Sequence, residues 1–237
     1  MPDTGIPQYS RARVLGIWAA AALPMGTLAW VVAPAIARTG VDLIPALIGC
    51  LTAGLVWQFV LILLLNRFSL RGLWLQAPST PDGRRGGRLW LWALPFVLGF
   101  GALQFVPIDL PPVAGHDFGA FLSSDHGRSV LHGNWGVFAL IVVMFTFNTV
   151  LGEELLFRGL LLPRMRAAFG RADWAVNGLL MGVYHLHQPW SIPSSIVAGL
   201  LMAYPTRRFR SAWFGIIVHS SQSVFLTVII FALVLKR

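Results

Sequence analysis

Two adjacent glutamates inside an apolar run are the residues of this sequence best suited to chemistry. Residues 152–158 have the sequence GEELLFR, and Glu153 and Glu154 are the only glutamates in the chain. On an α-helix, Glu154 and Arg158 lie four residues apart and can form an ion pair, whereas Glu153 points about 100° away. An unpaired carboxylate in apolar surroundings is costly. We therefore predict that Glu153 is a functional residue.

Two histidines in later apolar runs could act with Glu153. His185 ends the segment MGVYH, and Ser223 follows His219 by four residues, on the same face of a helix. Gln222 is adjacent to Ser223 and is expected to face elsewhere. A carboxylate and an imidazole can together deprotonate a water molecule, and a second imidazole with a hydroxyl can donate to a developing oxyanion. Such a set suits the hydrolysis of a peptide bond.

The same charged residues have a structural alternative. Glu153, Glu154 and Arg158 could form a buried ion cluster that fixes helix packing, and histidines within a membrane often serve as hydrogen-bonding contacts between helices. A single glutamate–arginine pair would be enough for that purpose. Burying the second carboxylate costs free energy and adds no further packing contact. The sequence therefore favours a functional role for it.

Metal binding is a further alternative. Two histidines and a glutamate are a known ligand set for catalytic zinc, but the HExxH motif of many zinc proteases is absent. The cofactor is therefore left open between zinc and none. A loop after residue 106 has four more candidate ligands, although loop residues of these types are more often simply solvated. They are His116, Asp117, Asp125 and His126.

The motifs together resemble those of a known family. Residues 153–158 match the EExxxR motif of the CAAX-protease and bacteriocin-processing intramembrane proteases (CPBP, ABI or type II CAAX prenyl endopeptidases). His185 matches the histidine of the family's FxxxH motif, with methionine in place of phenylalanine. His219 matches the histidine of the HxxxN/D motif, with Ser223 in place of asparagine or aspartate. The resemblance covers about residues 135 to 225.

The resemblance implies a role for each of these residues. It implies that Glu153 and His185 activate water, and that His219 and Ser223 polarise the scissile carbonyl. It also implies that Glu154, with its paired arginine, supports Glu153. Serine has a shorter reach than asparagine, so its part in oxyanion stabilisation is the weakest match. The family name implies a metalloprotease, while its best-understood members resemble glutamate-dependent proteases.

The composition indicates a membrane protein. The 237 residues are 56% apolar and only 11% charged, with a mean hydropathy of +0.70, whereas a soluble domain has about 25% charged residues. A disordered, collagenous or ordinary soluble protein is thus excluded. Cys50 is the single cysteine, so no intrachain disulfide is expected. The arginines lie in short clusters between apolar runs, as in membrane loops, and we predict no nucleic-acid partner.

Apolar runs of about 20 residues predict membrane-spanning helices. We predict an all-α polytopic transmembrane helix bundle with about seven spans, within a range of six to eight. A break in the last span near Ser220 to Ser223 would make eight. Residues 1–134 should form N-terminal transmembrane helices with loops, and residues 135–237 a CAAX/ABI protease-like catalytic core. The predicted spans are Val14 to Ala37, Val41 to Leu65, Leu89 to Val106, Trp135 to Leu162, Ala172 to His187, Ile192 to Tyr204 and Ser211 to Leu235.

Smaller features describe the loops and helix contacts. Leu75 to Arg88 is rich in proline, glycine and arginine and is predicted to be a flexible inner linker. Pro107 to Asn134 is predicted to be a long outer loop. Gly178 and Gly182 form a GxxxG pattern, which either lets another helix approach closely or has no specific partner. The first apolar run is longer than the core of a signal peptide, so we expect an uncleaved helix.

The positive charges orient the bundle. With seven spans and the N-terminus inside, thirteen arginines fall in inner segments and four cations in outer ones, and the positive-inside rule then places the N-terminus in the cytoplasm. The inner cations are Arg11, Arg13, Arg67, Arg71, Arg84, Arg85, Arg88, Arg164, Arg166, Arg171, Arg207, Arg208 and Arg210. The outer cations are Arg38, Arg128, Lys236 and Arg237.

The sequence thus predicts an intramembrane endopeptidase of the cell membrane. Its expected partners are the lipid bilayer and a substrate that is a membrane-associated protein or peptide, and the oligomeric state is left open. The main alternative is a non-enzymatic immunity or scaffold protein that keeps the charge cluster for packing. A transporter with a proton-relaying glutamate is a further alternative, although no inverted repeat is found.

Overall fold

The described part of the chain is mainly helical. The computed structural model describes residues 5–235, which form eleven α-helices linked by short π- and 3-10-helical segments. Within this range there is no β-strand, and an isolated antiparallel bridge joins Ser79 to Arg85. The helices are α1 (Arg11–Thr27), α2 (Ala33–Ala37), α3 (Leu43–Leu65), α4 (Ala93–Leu103), α5 (Phe118–Ser123), α6 (Asp125–Leu131), α7 (Trp135–Thr146), α8 (Arg166–Phe169), α9 (Asp173–Val183), α10 (Ile192–Phe209) and α11 (Trp213–Leu235).

Four continuous helical stretches among residues 5–235 are long and apolar enough to cross a membrane. They are Arg11–Ala37, Leu43–Leu65, Trp135–Arg164 and Trp213–Leu235, and Gly87–Leu103 is a shorter apolar helix. The protein is therefore an all-helical integral membrane protein, while the count of about seven spans stays a prediction. The alternative of a last span broken near Ser220 is wrong, because α11 is continuous from Trp213 to Leu235.

The outward face of α11 is strongly apolar. Val224, Phe225 and Val228 are each more than 60% exposed. Large apolar side chains in such a row would be unfavourable in water and are favourable against lipid. Lys236 and Arg237, which the orientation argument counts among the outer cations, lie outside the described residues.

The helix that carries the glutamates is not a uniform α-helix, contrary to the sequence-based expectation. After α7, residues Phe147–Gly152 and Leu155–Leu161 are π-helical. A π turn has i→i+5 hydrogen bonds and is frequent at functional sites. Gly152 lies at a close crossing with α3, since a Cβ there would come within 3.1 Å of the Leu55 carbonyl oxygen and 2.7 Å of the Phe147 carbonyl oxygen.

Helices α9 and α10 form a tightly packed hairpin. A Cβ on Gly178 would lie 2.8 Å from the Leu200 backbone nitrogen, and one on Gly182 would lie 2.6 Å from the Ile196 backbone nitrogen. The GxxxG pattern therefore has a specific partner, which is α10. The hairpin holds His185 just past the end of α9, on the loop that leads into α10.

The two long loops are more ordered than the sequence indicates. The segment 75–88 is held to the α10–α11 junction, where Trp213 Nε1 donates to the Leu75 carbonyl at 2.8 Å and Ser211 Oγ donates to the Gln76 carbonyl at 2.7 Å. This segment is thus anchored rather than a free linker. The predicted outer loop contains α5 and α6.

The buried core surrounds the glutamate-bearing segment. Leu156, Phe157, Leu160 and Leu161 have no exposed surface. They pack in the largest cluster of buried apolar residues, together with side chains of α1, α3 and α9. The charged residues of this segment are therefore enclosed by close-packed apolar side chains, where each unpaired polar group is costly.

Candidate active site

Glu154 is the centre of a buried charge cluster. Its Oε1 lies 3.4 Å from Arg158 Nη1 and 3.1 Å from His219 Nδ1. Glu154 and Arg158 have no exposed surface, and His219 is 7% exposed. The ion pair predicted from the i, i+4 spacing is confirmed. The contact with His219, which joins α11 to the glutamate-bearing helix, was not predicted.

Two backbone features hold this cluster in place. Arg158 Nη2 donates to the Gly199 carbonyl of α10 at 3.1 Å, so the arginine ties α10 to the carboxylate. On α11, Gly215 lies against Glu154 and Arg158, and a Cβ there would overlap Glu154 Oε2. Glycine is thus the only residue that leaves room for this carboxylate in the observed position.

Glu153 is held by a different set of groups. With the Asn148 amide turned so that its nitrogen faces the carboxylate, that nitrogen donates to Glu153 Oε1 at 2.7 Å and to Oε2 at 3.1 Å. Gln58 Nε2 donates to the Tyr184 hydroxyl at 2.5 Å, and the Tyr184 hydroxyl in turn interacts with Glu153. Because the hydroxyl oxygen already accepts from Gln58, its proton is directed towards the carboxylate.

The contact between Asn148 and Glu153 depends on the π-helical segment. In an α-helix, side chains five residues apart point about 140° from each other, at about 100° per residue. The i→i+5 pairing of a π turn brings them onto neighbouring positions. The irregular helix therefore supplies Glu153 with a partner that α-helical spacing does not predict.

The two histidines line one cavity, as is required if they act together. His185 and His219 border a space of about 90 Å³ that is also lined by Phe100, Gln104 and Gln222. Gln222 Nε2 donates to Gln104 Oε1 at 2.8 Å. The expectation that Gln222 faces elsewhere is wrong, because one turn of α11 places it on the same cavity as His219.

Each histidine has its Nδ1 atom within hydrogen-bonding distance of an oxygen atom. His185 Nδ1 lies 3.0 Å from the Met181 carbonyl oxygen, and His219 Nδ1 lies 3.1 Å from Glu154 Oε1. A carbonyl and an ionised carboxylate only accept hydrogen bonds, so each Nδ1 carries a proton. The Nε2 atoms are therefore the ones available to a substrate or to water.

Four predicted site residues do not border this cavity, and only Glu154 and Arg158 among them belong to the charge cluster that contacts His219. Ser223 is 8% exposed and is not among the residues that border it. Glu153 lines a neighbouring, mainly apolar cavity of about 170 Å³, together with Asn148 and His187. The structure thus joins Glu154, Arg158 and His219 by direct contacts, places His185 on one cavity with His219, and leaves Glu153 on another cavity.

The described residues do not assemble a zinc site. No group of three His, Cys, Asp or Glu side chains within residues 5–235 has the spacing needed to hold a metal ion. In the outer loop, the His116 ring stacks on Trp30 at 4.6 Å, while His126 Nε2 lies 3.3 Å from Asp42 Oδ1. Neither the intramembrane glutamates and histidines nor the His and Asp residues of the loop therefore provide the three protein ligands of a catalytic zinc in this conformation.

The fold and the buried cluster define the class of protein to which the chain belongs. It is a helical integral membrane protein with two carboxylates and two histidines gathered within the bundle. Residues 134–225 match the family model of the type II CAAX prenyl endopeptidase Rce1-like proteins, so the resemblance to the CAAX proteases is confirmed over this part of the chain. No curated protein and no solved structure matches the chain.

Sequence reasoning did not single out several residues that lie at the two glutamates, at Tyr184 or on the cavity of the histidines. They are Gln58, Gln104, Asn148, Tyr184 and Gly215. Intramembrane polar side chains such as Gln58 and Asn148 are rare enough to be candidates on composition alone. Gly215 lies four residues before His219 on the same helical face, and that spacing is the signal that could have identified it.

Proposed function

We propose that this protein is an intramembrane endopeptidase that hydrolyses a peptide bond of a membrane-associated protein or peptide. One observation carries the proposal: His219 is held through Nδ1 by a buried carboxylate, and it borders a polar cavity together with His185. An oriented imidazole next to a second imidazole is the arrangement expected for proton transfer at a reacting carbonyl. The family match supports a peptidase.

We assign the protons of the proposed active site so that the charges of the buried group cancel. Glu153 and Glu154 are ionised, Arg158 is a cation and His219 is protonated, so the buried group is neutral overall. An imidazolium at His219 donates from Nε2 to the carbonyl oxygen while Glu154 accepts from Nδ1. His185 stays neutral and presents Nε2 as an acceptor.

In the proposed reaction, Glu153 is the general base and His185 orients the water. The water oxygen attacks the carbonyl carbon, its proton passes to Glu153, and the oxyanion accepts from His219. The carbon–nitrogen bond then breaks and Glu153 returns the proton to the leaving amine. Glu154 and Arg158 hold the cluster, and Ser223 assists at the oxyanion by analogy with the family motif. These steps use side chains and water.

A second assignment of the base has an observation in its favour. Glu154 contacts His219 directly, whereas Glu153 borders a separate cavity. A neutral His219, oriented by Glu154, would then take the proton of water through Nε2. The two assignments predict different activities for Glu153→Gln. If Glu153 is the base, this variant loses its base, whereas if His219 is the base, the variant keeps it.

In its proposed setting, the protein lies in the cell membrane with about seven spans and its N-terminus in the cytoplasm. The non-enzymatic alternative, a scaffold or immunity protein, is supported by the packing of Gly215 against Glu154, because such close packing also serves a purely structural ion cluster.

The deciding experiment measures new protein termini. Purified wild-type protein and Glu153→Gln are added to membranes from cells that lack the gene, and new N-termini are labelled and identified. We expect termini that depend on the wild-type protein, are reduced with Glu153→Gln, and persist with a metal chelator. Equal termini from Glu153→Gln would support the His219 base. No new termini with a well-folded wild-type protein would favour the scaffold, and loss with chelator would indicate a metalloprotease.

A further inference from the structure

Five arginines converge on a cleft at one end of the α9–α10 hairpin, away from the buried cluster. We call this the arginine cleft. It has a volume of about 320 Å³ and is bordered by one carboxylate, Asp173, and by the aromatic rings of Trp174 and Tyr204. Its arginines are Arg166, Arg171, Arg207, Arg208 and Arg210. Five cations and one anion make the cleft strongly positive.

The single carboxylate is already paired. Asp173 is fully buried, and its Oδ2 lies 2.8 Å from Arg207 Nε and 3.8 Å from Arg166 Nη1. Its Oδ1 accepts from the Trp174 backbone nitrogen at 2.9 Å. The charge of Asp173 is therefore paired with Arg207 and Arg166.

The remaining three arginines have no counter-charge. Among residues 5–235, no carboxylate pairs with the guanidinium of Arg171, Arg208 or Arg210, and none of the three donates a side-chain hydrogen bond. Like charges held in one concave site repel each other, and the cleft concentrates their positive potential. A bound anion would relieve this repulsion and would satisfy the free donors.

The chemistry of the donors identifies the class of anion. A guanidinium is planar and always charged, and its donors match the oxygens of a phosphate in a bidentate arrangement. Three such groups from two separate chain segments can surround one tetrahedral anion. A phosphate-bearing ligand fits this donor set better than a single flat carboxylate.

The aromatic residues point to a lipid as the source of the phosphate. The rings of Trp174 and Tyr204 lie 5.3 Å apart edge to face, and Tyr204 is 47% exposed. Tryptophan and tyrosine are enriched at the level of lipid headgroups. Leu179 on α9 and Val197 on α10 are exposed apolar side chains of the same hairpin, and they would be favourable next to acyl chains.

We propose that the arginine cleft binds the phosphate of an anionic phospholipid headgroup through Arg171, Arg208 and Arg210. Basic pockets at the ends of membrane helices are known to take such headgroups. Along α10, Arg208 lies nine residues from Gly199, about 13 Å at 1.5 Å per residue. The cleft is thus separate from the charge cluster, and its occupation does not depend on the proposed protease activity.

The test uses the full chain in a neutral detergent. The melting temperature is followed while dioctanoyl phosphatidylglycerol, dioctanoyl phosphatidylcholine or inorganic phosphate is added at constant ionic strength. The cleft variant is Arg171→Gln/Arg208→Gln/Arg210→Gln, which keeps both partners of Asp173. The matched control, Arg84→Gln/Arg85→Gln/Arg88→Gln, removes three charges from the 75–88 segment.

We expect phosphatidylglycerol to raise the melting temperature of the wild type and of the control, and phosphatidylcholine to have no comparable effect. The cleft variant should bind phosphatidylglycerol at least about tenfold more weakly, the factor for one lost charge-assisted contact. Stabilisation by inorganic phosphate alone would assign the site to a soluble anion and overturn the lipid. Equal losses in both variants, or no stabilisation of the wild type, would overturn the site itself.

Discussion

Gly215 lies directly against the Glu154 carboxylate. A Cβ at this position would overlap Glu154 Oε2 and would stand 3.0 Å from Arg158 Cγ. Because His219 follows Gly215 by one helical turn, the same close approach brings His219 Nδ1 within 3.1 Å of Glu154. Because residue 215 has no side chain, α11 packs close enough for His219 to contact the Glu154 carboxylate.

Gly215→Ala should therefore reduce activity although no chemical group is lost. The added methyl displaces Glu154 and removes the partner of His219 Nδ1, which is expected to lower the cleavage rate by about tenfold or more. Overpacking of this kind also costs about 1–3 kcal/mol of stability. Gly49→Ala is the matched control, since a Cβ there meets nothing within 4 Å. Equal activity of the two variants would show that the contact has no functional role.

The two glutamates should differ when each is replaced by glutamine. Glu153→Gln keeps the size and polarity of the side chain and removes the proposed base, so the rate should fall by about 10²–10⁴ with little change in melting temperature. Glu154→Gln leaves Arg158 buried beside a neutral amide. Breaking a buried pair costs about 3–5 kcal/mol, so this variant should melt early.

The measurement is the cleavage of a reporter substrate by purified variants in detergent, with their melting temperatures. A wild-type rate for Glu153→Gln would exclude Glu153 as the base. If both variants melt early and neither loses specific activity, the cluster is structural.

Tyr184→Phe tests the support of Glu153. The hydroxyl accepts from Gln58 Nε2 at 2.5 Å, and its own proton is directed to Glu153. Loss of that donor should lower the rate on the order of tenfold and should shift the pH–rate profile, a readout that simple loss of packing would not move. Tyr9→Phe removes the hydroxyl of another buried tyrosine outside the cluster, and it should leave both the rate and the profile unchanged.

Ser223 and Gln222 should respond differently to substitution. Ser223→Asn is expected to be tolerated and to raise activity, because asparagine adds an amide donor with a longer reach. Gln222→Ala should lower activity, because this side chain borders the cavity of His219. A complete loss of activity in a folded Ser223→Asn protein would show that the serine has a role of its own.

The orientation of the bundle can be tested by labelling. With Cys50 replaced by alanine, a cysteine at Ser79 should be inaccessible to an impermeant thiol reagent outside intact cells and accessible after permeabilisation. Ser129→Cys, on the predicted outer side, is the positive control. Ready labelling at Ser79 in intact cells would reverse the predicted topology.

The sequence by itself determined the local features of this protein. The apolar runs indicated a helical membrane bundle, because hydropathy and helix length report directly on the surroundings of a segment. The pairing of Glu154 with Arg158 followed from residues four apart on one helix. The resemblance to the CAAX proteases rested on the motifs at Glu153–Arg158, His185 and His219, which need no knowledge of how the helices pack.

Only the tertiary structure decided which groups meet. The Glu154–His219 contact, the place of Gln222 on the cavity and the partners of Glu153 depend on how far α11 is rotated and shifted against the glutamate-bearing helix. That register is set by small residues at the helix crossings, such as Gly215, and by a π-helical segment that α-helical periodicity cannot foresee. Such contacts arise from packing between segments that are distant in sequence, and local residue patterns contain no information on their distance.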